Sequence, residues 1–332
     1  MKNEILSRIQ KKFPLVAKPF QVIAEELGIR EDEVLDILQK EKNDGIIRQT
    51  SAIFDTRRLG YESSLVAFKV AEENMKKAVE IINSHPGISH NYERNHDFNI
   101  WFTLGVPPDS KLGLEKTVDI IAEMAQADSY IMLPTLKLFK INVKLNVTGN
   151  DSKKESVKKV IHKDVKLTSL HHEVIRLAQY DIDMVREPFA EIIEKLSIDY
   201  DTFFNILNEL QEAGIMRRFA SILNHRKAGF NANAMVVWEV DEDNGKEIGE
   251  KAAAFSAVSH CYLRPKYENW PYNLFTMVHG KTTEETNSII DEMAKEIPSR
   301  SHMPLYSSRE FKKVRIEYFT PAAREWEDKY GK

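Results

Sequence analysis

The chain has 332 residues, of which 42% are hydrophobic and 30% charged, and its formal net charge is -4. This balance is typical of a globular protein with two or more domains, and it excludes a general electrostatic attraction to nucleic acid. Cys261 is the only cysteine, which excludes an intrachain disulfide and favours the reducing cytoplasm. Because no apolar run approaches the roughly 20 residues that cross a bilayer, we expect no membrane span.

Three helices are predicted at the start of the chain. Apolar residues at steps of four predict a helix over 1–13. A second helix is expected at 19–28, between a proline suited to the first turn and a terminal glycine, and a third at 31–43. This order is the helix-turn-helix layout, and the alternating residues 46–56 predict a strand that forms a wing.

The next stretch predicts a sheet with helices on one face. Its order, βαββαβ, is the ferredoxin-like pattern of an antiparallel sheet. The predicted strands are 64–70, 87–95, 98–105 and 131–147, and the predicted helices are 73–84 and 110–127.

The second half of the chain repeats this order about 170 residues later. Gly45-Ile46-Ile47-Arg48, for example, returns as Gly214-Ile215-Met216-Arg217. We therefore predict an α+β fold of two tandem repeats, each a winged helix-turn-helix followed by a ferredoxin-like (RAM-type) domain. Two such halves can face each other across a pseudo-twofold axis, as a dimer does, and build one asymmetric site at the seam. The predicted boundaries are 1–60 and 165–228 for the helix-turn-helix domains, 61–148 and 229–320 for the ferredoxin-like domains, and 149–164 for the linker.

Both predicted recognition helices are acidic. The first begins Glu31-Asp32-Glu33, and the second has no Lys or Arg between Ile198 and Ala213. A recognition helix needs cations for phosphates and bases, so the sequence argues against DNA binding. We expect these helices to serve packing instead.

Two resemblances follow from these motifs. The helix-turn-helix followed by βαββαβ resembles the Lrp/AsnC regulators with their RAM-type effector domain. Longer strings resemble the siroheme decarboxylases, which are Lrp-like proteins, and this chain looks like their two different subunits fused head to tail. The strings are GIIR (45–48), AIFD (52–55), PGISHNYER (86–94) and FNIWFT (98–103), then SHCYLR (259–264) and WPYNLFTMVHG (270–280).

The second resemblance implies an enzyme, a carboxy-lyase. It would remove CO2 from the two acetate side chains on rings C and D of siroheme, an iron tetrapyrrole, and its product, didecarboxysiroheme, would lead to heme b or heme d1. The macrocycle can spread the charge left by the departing CO2, so we expect no further cofactor. The site must then bind a planar polyanion, desolvate one carboxylate and deliver a proton to carbon, tasks that suit Arg for the first and His or Tyr for the last.

Polar side chains alternate along the predicted strand near residue 90. His90, Tyr92, Arg94 and His96 occupy positions i, i+2, i+4 and i+6, which share one face of a sheet. We predict His90 and His96 as catalytic groups, and Tyr92 and Arg94 as substrate-binding groups.

The second half repeats the alternation at His260, Tyr262 and Arg264. We predict His260 and Tyr262 as catalytic and Arg264 as substrate-binding. His279 closes the next strand and aligns with Gly105, so it has no partner in the first half. The second half is therefore expected to be better equipped for catalysis, with the first half contributing from across the seam.

Four further residues are predicted to bind substrate. Trp270 and Tyr272 offer flat apolar surface for a macrocycle, although Tyr272 can also be a core residue. Arg48 and Arg218 follow the helix-turn-helix motifs and can hold carboxylates or lie on a solvated wing. No metal site is predicted, since the pattern lacks a cysteine cluster and the adjacent His171-His172 cannot face one ion.

Three functions compete at this level: a siroheme decarboxylase, an Lrp/AsnC-like regulator that senses heme or another ligand, and a subunit that binds a tetrapyrrole without turning it over. The acidic recognition helices argue against the second, and the paired His/Tyr/Arg strands argue against a purely structural role. The pathway served, the order of the two decarboxylations, the number of working sites, any His ligand to iron, and pairing of the chain into a homodimer stay open.

Overall fold

The computed structural model describes residues 1–141, 163–223 and 232–331. They form two compact units. One unit holds residues 1–61, 163–223 and 317–321, and the other holds residues 62–141, 232–316 and 322–331. Apart from Lys163 and Asp164, the predicted linker lies outside the described residues.

The first half of the chain follows the predicted order of elements. A short 3-10 helix, Glu72–Asn74, precedes α4. The helices are α1 (Lys2–Lys11), α2 (Pro19–Leu27), α3 (Glu31–Asn43), α4 (Met75–Ser84) and α5 (Gly113–Ala125), and the strands are β1 (Ile47–Phe54), β2 (Glu62–Lys69), β3 (Ile88–Arg94), β4 (Ile100–Val106), β5 (Ser129–Pro134) and β6 (Lys137–Ile141).

Local sequence signals explain the ends of two of these helices. Pro19 lies in the first turn of α2, and Gly28 ends it with a φ of +67°, a left-handed conformation that favours glycine. The Glu33 side chain accepts a hydrogen bond from the Arg30 N–H at 2.9 Å, which caps the start of α3. The prediction of a helix over 31–43 is thereby confirmed.

The second half repeats the order and adds a helix that the sequence analysis missed, α11 at the end of the described chain. The helices are α6 (Ser169–Ala178), α7 (Ala190–Leu196), α8 (Tyr200–Glu212), α9 (Gly245–Ala254), α10 (Thr283–Glu296) and α11 (Ala322–Tyr330), and the strands are β7 (Met216–Leu223), β8 (Ala232–Glu239), β9 (Val258–Leu263), β10 (Leu274–Gly280) and β11 (Ser301–Lys313).

In the unit of helix-turn-helix elements, the two predicted wings pair with each other. β1 and β7 form an antiparallel two-stranded sheet, with the Thr50 and Ser221 hydroxyls 2.6 Å apart near its middle. The Phe13 N–H donates to the carbonyl of Phe219, which ties the segment after α1 to the strand of the other half. The two helix-turn-helix domains are thus joined as in an intertwined dimer.

The polar face of α3 is occupied within the same unit. Gln39 and Lys42 donate to the carbonyls of Met184 and Ile182, both at 2.9 Å. Arg186 donates to Asp32 at 2.8 Å, from the same segment of the second half. These contacts agree with a packing role for α3.

The other unit contains both ferredoxin-like sheets. Its nine strands are hydrogen-bonded in the order β5-β2-β4-β3-β11-β8-β10-β9-β6. Each half contributes its four strands in the ferredoxin-like order, fourth-first-third-second. β11 continues past β8 to pair with β3 of the first half, and β6 crosses to pair with β9 of the second half. Each half therefore completes the outer edge of the other.

This exchange corrects one prediction. The long strand expected at 131–147 is broken after Pro134, and its second part is β6 on the opposite half-sheet; residues 142–147 lie outside the described chain. The break falls at Thr135-Leu136, where the chain leaves one sheet for the other.

Three hydrophobic cores hold this unit together. One lies between the first half-sheet and α4 and α5, and a second lies between the second half-sheet and α9 and α10. The third joins inner faces of both halves and contains Trp101, Met235, Val237 and Phe275. The α+β prediction of two tandem helix-turn-helix and ferredoxin-like repeats is confirmed. In the part of the chain that the structure describes, no helix is long and apolar enough to span a membrane.

Candidate functional site

The first row of polar residues, His90, Tyr92 and Arg94, lies along β3. Because Tyr92 pairs with Trp101 in the sheet register, the row faces the inner core between the sheets. The His90 and Tyr92 rings stack with centroids 6.2 Å apart, and the Arg94 guanidinium lies 5.7 Å from the Tyr92 centroid. The predicted alternation of imidazole, phenol and guanidinium is therefore present on one face.

The second row, His260, Tyr262 and Arg264, has the same geometry on β9. The His260 and Tyr262 centroids are also 6.2 Å apart, and Arg264 lies 4.8 Å from the Tyr262 centroid. In the hydrogen-bonding order, three strands separate β3 from β9. The two rows thus lie on separate strands, and their predicted meeting in one site at the seam stays a prediction.

The two row arginines are buried and hold the two halves together. Arg94 donates to the carbonyl of Leu305 at 2.6 Å, and Arg264 donates to the carbonyl of Leu133 and, at 3.3 Å, to the Thr135 hydroxyl. Each guanidinium therefore binds a backbone carbonyl of the opposite half. Burial lowers the pKa of Arg94 to about 10, and Arg94 and Arg264 are only 6% and 9% exposed. These contacts join the two halves, and the predicted role of both arginines in binding substrate carboxylates stays a prediction.

A hydrogen-bonded chain of side chains surrounds His260. The Ser259 hydroxyl lies 2.7 Å from Nδ1 of His260 and 2.6 Å from Nε2 of His279. Nδ1 of His279 lies 2.6 Å from Oδ1 of Asn233. Burial lowers the pKa of His279, which favours its neutral form. Two imidazoles are thereby linked through one serine.

The first half has only the first contact of this hydrogen-bonded series. The Ser89 hydroxyl lies 2.9 Å from Nδ1 of His90, but Gly105 stands where the second half has His279. A Cβ at Gly105 would lie 2.8 Å from Cδ1 of Ile316, closer than side chains tolerate. A side chain at this position would therefore require the end of the Ile316 side chain to shift.

The strand that covers each row also differs. On β11, Glu310 pairs with Tyr92 and Lys313 pairs with His90. The equivalent positions on β6 are Leu138, opposite Tyr262, and Ile141, opposite His260. Cross-strand partners share a face, so among the described residues the partners of the first row are charged and those of the second row are apolar.

Charge and burial shift the protonation of the first row. Burial lowers the pKa of His90, and nearby Lys313 lowers it further while Glu310 opposes the shift. Burial and the Glu310 carboxylate raise the pKa of Tyr92 to about 12, so the phenol stays protonated. The Glu310 carboxylate lies 3.8 Å from Nζ of Lys313, so this edge carries both signs of charge.

Three predicted residues lie in or against the inner core. β3 ends at Arg94, so His96 falls in a turn, where its Nδ1 accepts the Phe98 N–H at 2.9 Å and its ring packs edge-on against Trp270. Burial lowers the pKa of His96. Trp270 is 1% exposed, and Tyr272 contacts its ring. Aromatic neighbours surround Trp270 in this structure, and its predicted contact with the macrocycle stays a prediction.

Arg48 and Arg218 belong to the other compact unit. Both side chains are exposed, on β1 and β7. Arg218 lines a cleft of about 810 Å³ together with Lys11 and Lys12. Their predicted role in binding carboxylates stays a prediction.

Ser259 and Asn233 are the site residues that the sequence analysis missed. The repeated Ser-His pairs, Ser89-His90 and Ser259-His260, were the available signal for the first. No sequence signal pointed to Asn233, because its contact with His279 depends on pairing between β8 and β10. Cys261 points to the helix side, as expected: it is buried in the second core, and burial raises the pKa of its thiol to about 12. Within residues 1–141, 163–223 and 232–331, no group of three or more His, Cys, Asp or Glu could hold a metal ion.

Known protein families match both kinds of domain in this chain. The AsnC-like ligand binding domain matches residues 58–140 and 227–312. The siroheme decarboxylase NirDL-like HTH domain matches residues 2–48 and 171–217. By fold and site, the chain is thus a duplicated helix-turn-helix protein with two AsnC-like ligand-binding domains.

Similar full-length proteins define the family more narrowly. The siroheme decarboxylase of Hydrogenobacter thermophilus is 42% identical over 324 residues, which cover 98% of this chain and 96% of the relative. The siroheme decarboxylase beta subunit of Oleidesulfovibrio alaskensis is 37% identical but covers 46% of this chain and 97% of its own length. The crystal structure of the siroheme decarboxylase NirDL in co-complex with an iron-uroporphyrin III analogue matches with a TM-score of 0.80 at 37% identity, over 99% of this chain and 97% of that one. The chain therefore belongs to the siroheme decarboxylase family.

Proposed function

We propose that the chain removes CO2 from the two acetate side chains on rings C and D of siroheme, yielding didecarboxysiroheme. Membership of the siroheme decarboxylase family supports the reaction, and a full-length relative carries the same name. The solved NirDL structure with an iron-uroporphyrin III analogue supports a tetrapyrrole ligand for this fold. The substrate itself carries the iron, and no further cofactor is invoked.

The reaction requires one proton for each CO2 released. The bond between the methylene carbon and the carboxylate breaks, and its electron pair is left on the methylene carbon, where the macrocycle can spread it. A protein acid then donates a proton to that carbon, which becomes a methyl group. An imidazolium or a phenol within reach is suited to this step.

We assign proton delivery to the second row. His260 and Tyr262 are half-buried and stacked, and Leu138 and Ile141 lie across the strand from them. Apolar neighbours favour loss of CO2, because an ionised carboxylate is poorly solvated beside them. Only this row also has the Ser259–His279 connection.

The first row is proposed to serve assembly more than chemistry. Arg94 binds a carbonyl of the other half, as Arg264 also does, while Glu310 beside Tyr92 lies 3.8 Å from Nζ of Lys313. Charged side chains solvate an ionised carboxylate better than the apolar partners of the second row do, which disfavours loss of CO2 at the first row. The difference between the two edges is the observation that carries the assignment to the second row.

Anaerobic incubation with siroheme, followed by mass spectrometry, tests the reaction. We expect loss of two CO2 units. Unchanged siroheme with a bound absorption band would instead favour a tetrapyrrole-binding subunit without turnover.

Paired variants test which row acts. His260→Gln and Tyr262→Phe are expected to lower kcat by about 10² to 10⁴, the usual contribution of general acid catalysis. His90→Gln and Tyr92→Phe, the matched changes in the first row, are expected to lower it less. Equal losses in both rows would contradict the assignment. Arg48→Ala and Arg218→Ala test carboxylate binding. If these residues bind substrate carboxylates, each variant should raise KM.

Regulation of transcription through DNA binding is the weaker alternative function. The acidic α3 uses its polar side chains on the segment from Ile182 to Arg186, and β1 and β7 pair with each other. We expect no sequence-dependent gel shift at physiological salt. A homodimer and a cytoplasmic location remain predictions from the sequence, and sedimentation analysis tests the first.

A further inference from the structure

The hydrogen-bonded chain around His260 has a defined direction. Oδ1 of Asn233 can only accept, so Nδ1 of His279 carries a hydrogen. In the neutral ring, Nε2 of His279 then has a lone pair and accepts the hydroxyl hydrogen of Ser259. With that hydrogen committed, the Ser259 oxygen accepts from Nδ1–H of His260. Each step fixes the next one.

We propose that Ser259, His279 and Asn233 are positioning residues that hold the proton of neutral His260 on Nδ1, so that Nε2 is the atom that takes up and delivers the catalytic proton. The inference deepens the proposed function and rests on it. A histidine near a reacting carbon is effective only when the correct nitrogen faces that carbon in the correct form. In this proposal the three hydrogen-bonded residues select the nitrogen of His260 and do not themselves touch substrate.

The proton balance is simple. Protonation at Nε2 makes His260 an imidazolium, and its Nδ1–H bond to Ser259 is kept. When CO2 departs, the N–H bond at Nε2 breaks and a C–H bond forms at the methylene carbon. His260 returns to the neutral form with its proton on Nδ1, and solvent reloads Nε2. The three other residues keep their protonation throughout, because burial lowers the pKa of His279 and so favours its neutral ring.

The first half offers a natural control. Ser89 contacts His90 as Ser259 contacts His260, but Gly105 ends the chain there. Without a second acceptor, the Ser89 hydroxyl can donate to His90 or accept from it. The tautomer of His90 is therefore not fixed by this route.

Nitrogen NMR of the histidine-labelled chain tests the arrangement without any turnover. We expect neutral His260 to carry its proton on Nδ1 in the native chain. Ser259→Ala and Asn233→Leu should give a mixture of tautomers, whereas Ser259→Thr, which keeps the hydroxyl, should keep the native form. A neutral His260 protonated at Nε2 in the native chain would overturn the proposal.

Kinetics supply the second readout. Ser259→Ala should lower kcat roughly ten- to a hundredfold, as loss of a partner behind a functional histidine commonly does, with KM little changed. Ser259→Thr keeps the hydroxyl and should recover most of the rate. Ser89→Ala should lose clearly less than Ser259→Ala, and equal losses would overturn the proposal. Asn233 is exposed and Ser259 is buried. If Ser259→Ala impairs folding, Asn233→Leu therefore tests the positioning role instead. Failure of the native chain to decarboxylate siroheme would refute the proposed function, while the NMR result would still decide the tautomer.

Discussion

Leu138→Glu places on the second edge the charge that the first edge already carries. Leu138 pairs with Tyr262 as Glu310 pairs with Tyr92, but Ile141 stands where the first edge has Lys313, so the new carboxylate lacks the lysine that lies 3.8 Å from Glu310. If the substrate macrocycle lies against the second row, the new carboxylate will stand close to substrate carboxylates. We expect weaker binding and slower turnover, measured as kcat/KM for anaerobic decarboxylation.

The size of this effect follows from Coulomb's law. Cross-strand Cβ atoms lie about 5 Å apart, so a carboxylate at position 138 would be roughly 7 Å from a substrate carboxylate over the ring of Tyr262. At an effective dielectric constant of about 20 the repulsion is roughly 2 kcal/mol. Leu138 is 37% exposed, so solvent screening reduces this to about 1–2 kcal/mol, a five- to thirtyfold loss in kcat/KM.

Two comparisons separate charge from shape. Leu138→Gln has nearly the same volume as Leu138→Glu but no charge, and it should retain most of the activity. The penalty specific to glutamate should shrink at high salt, because exposed charges are screened. If the glutamate and glutamine variants were equally active at low salt, substrate would not bind beside Tyr262, and the assignment of the second row would fail.

Three further predictions concern buried groups. Burial lowers the pKa of His85 to about 3, and its Nδ1 accepts the Gly87 N–H at 2.9 Å; the stabilisation from the neutral ring is therefore complete above about pH 6.5 and is lost as pH falls toward 3. In urea titrations, the advantage of the native chain over His85→Asn should thus shrink by up to about 1.4 kcal/mol for each pH unit below 6.5, and a constant advantage would contradict this. Arg264→Met leaves the Leu133 carbonyl without its guanidinium donor and should lower the free energy of unfolding by about 1–3 kcal/mol; a change in KM alone would support a substrate-binding role. Cys261, whose pKa burial raises to about 12, should react with a thiol reagent at pH 8 only after unfolding in urea.

Periodicity predicted the features that depend on neighbouring residues. The helix over 31–43 and the alternation of His90, Tyr92 and Arg94 on one face follow from local spacing alone. The end of β3 before His96 was missed, because a period of two continues in the sequence through the turn. Where β3 ends depends on how it pairs with the next strand, and the residue types near position 96 do not indicate that pairing.

Long-range partners account for the other differences. The sequence marks Arg94 and Arg264 as cations on a strand, but their acceptors are backbone carbonyls of the opposite half, which no residue type signals. Trp270 is apolar and flat whether it faces a ligand or a core, and only the packing of the two sheets decides between these. The transfer of β6 to the other half likewise depends on which edge is available.

Fusion of two halves in one chain explains why the two edges can differ. In a symmetric homodimer every substitution appears twice, so a charge tolerated at one edge must be tolerated at both. Here the arginines that bind carbonyls across the halves are retained in both, because assembly needs both contacts. The surroundings have diverged: Glu310 and Gly105 belong to one half, and Leu138 and His279 to the other. The halves thus differ next to the rows while sharing the contacts that join them, which is the pattern expected if one row has been assigned to chemistry and both arginines to assembly.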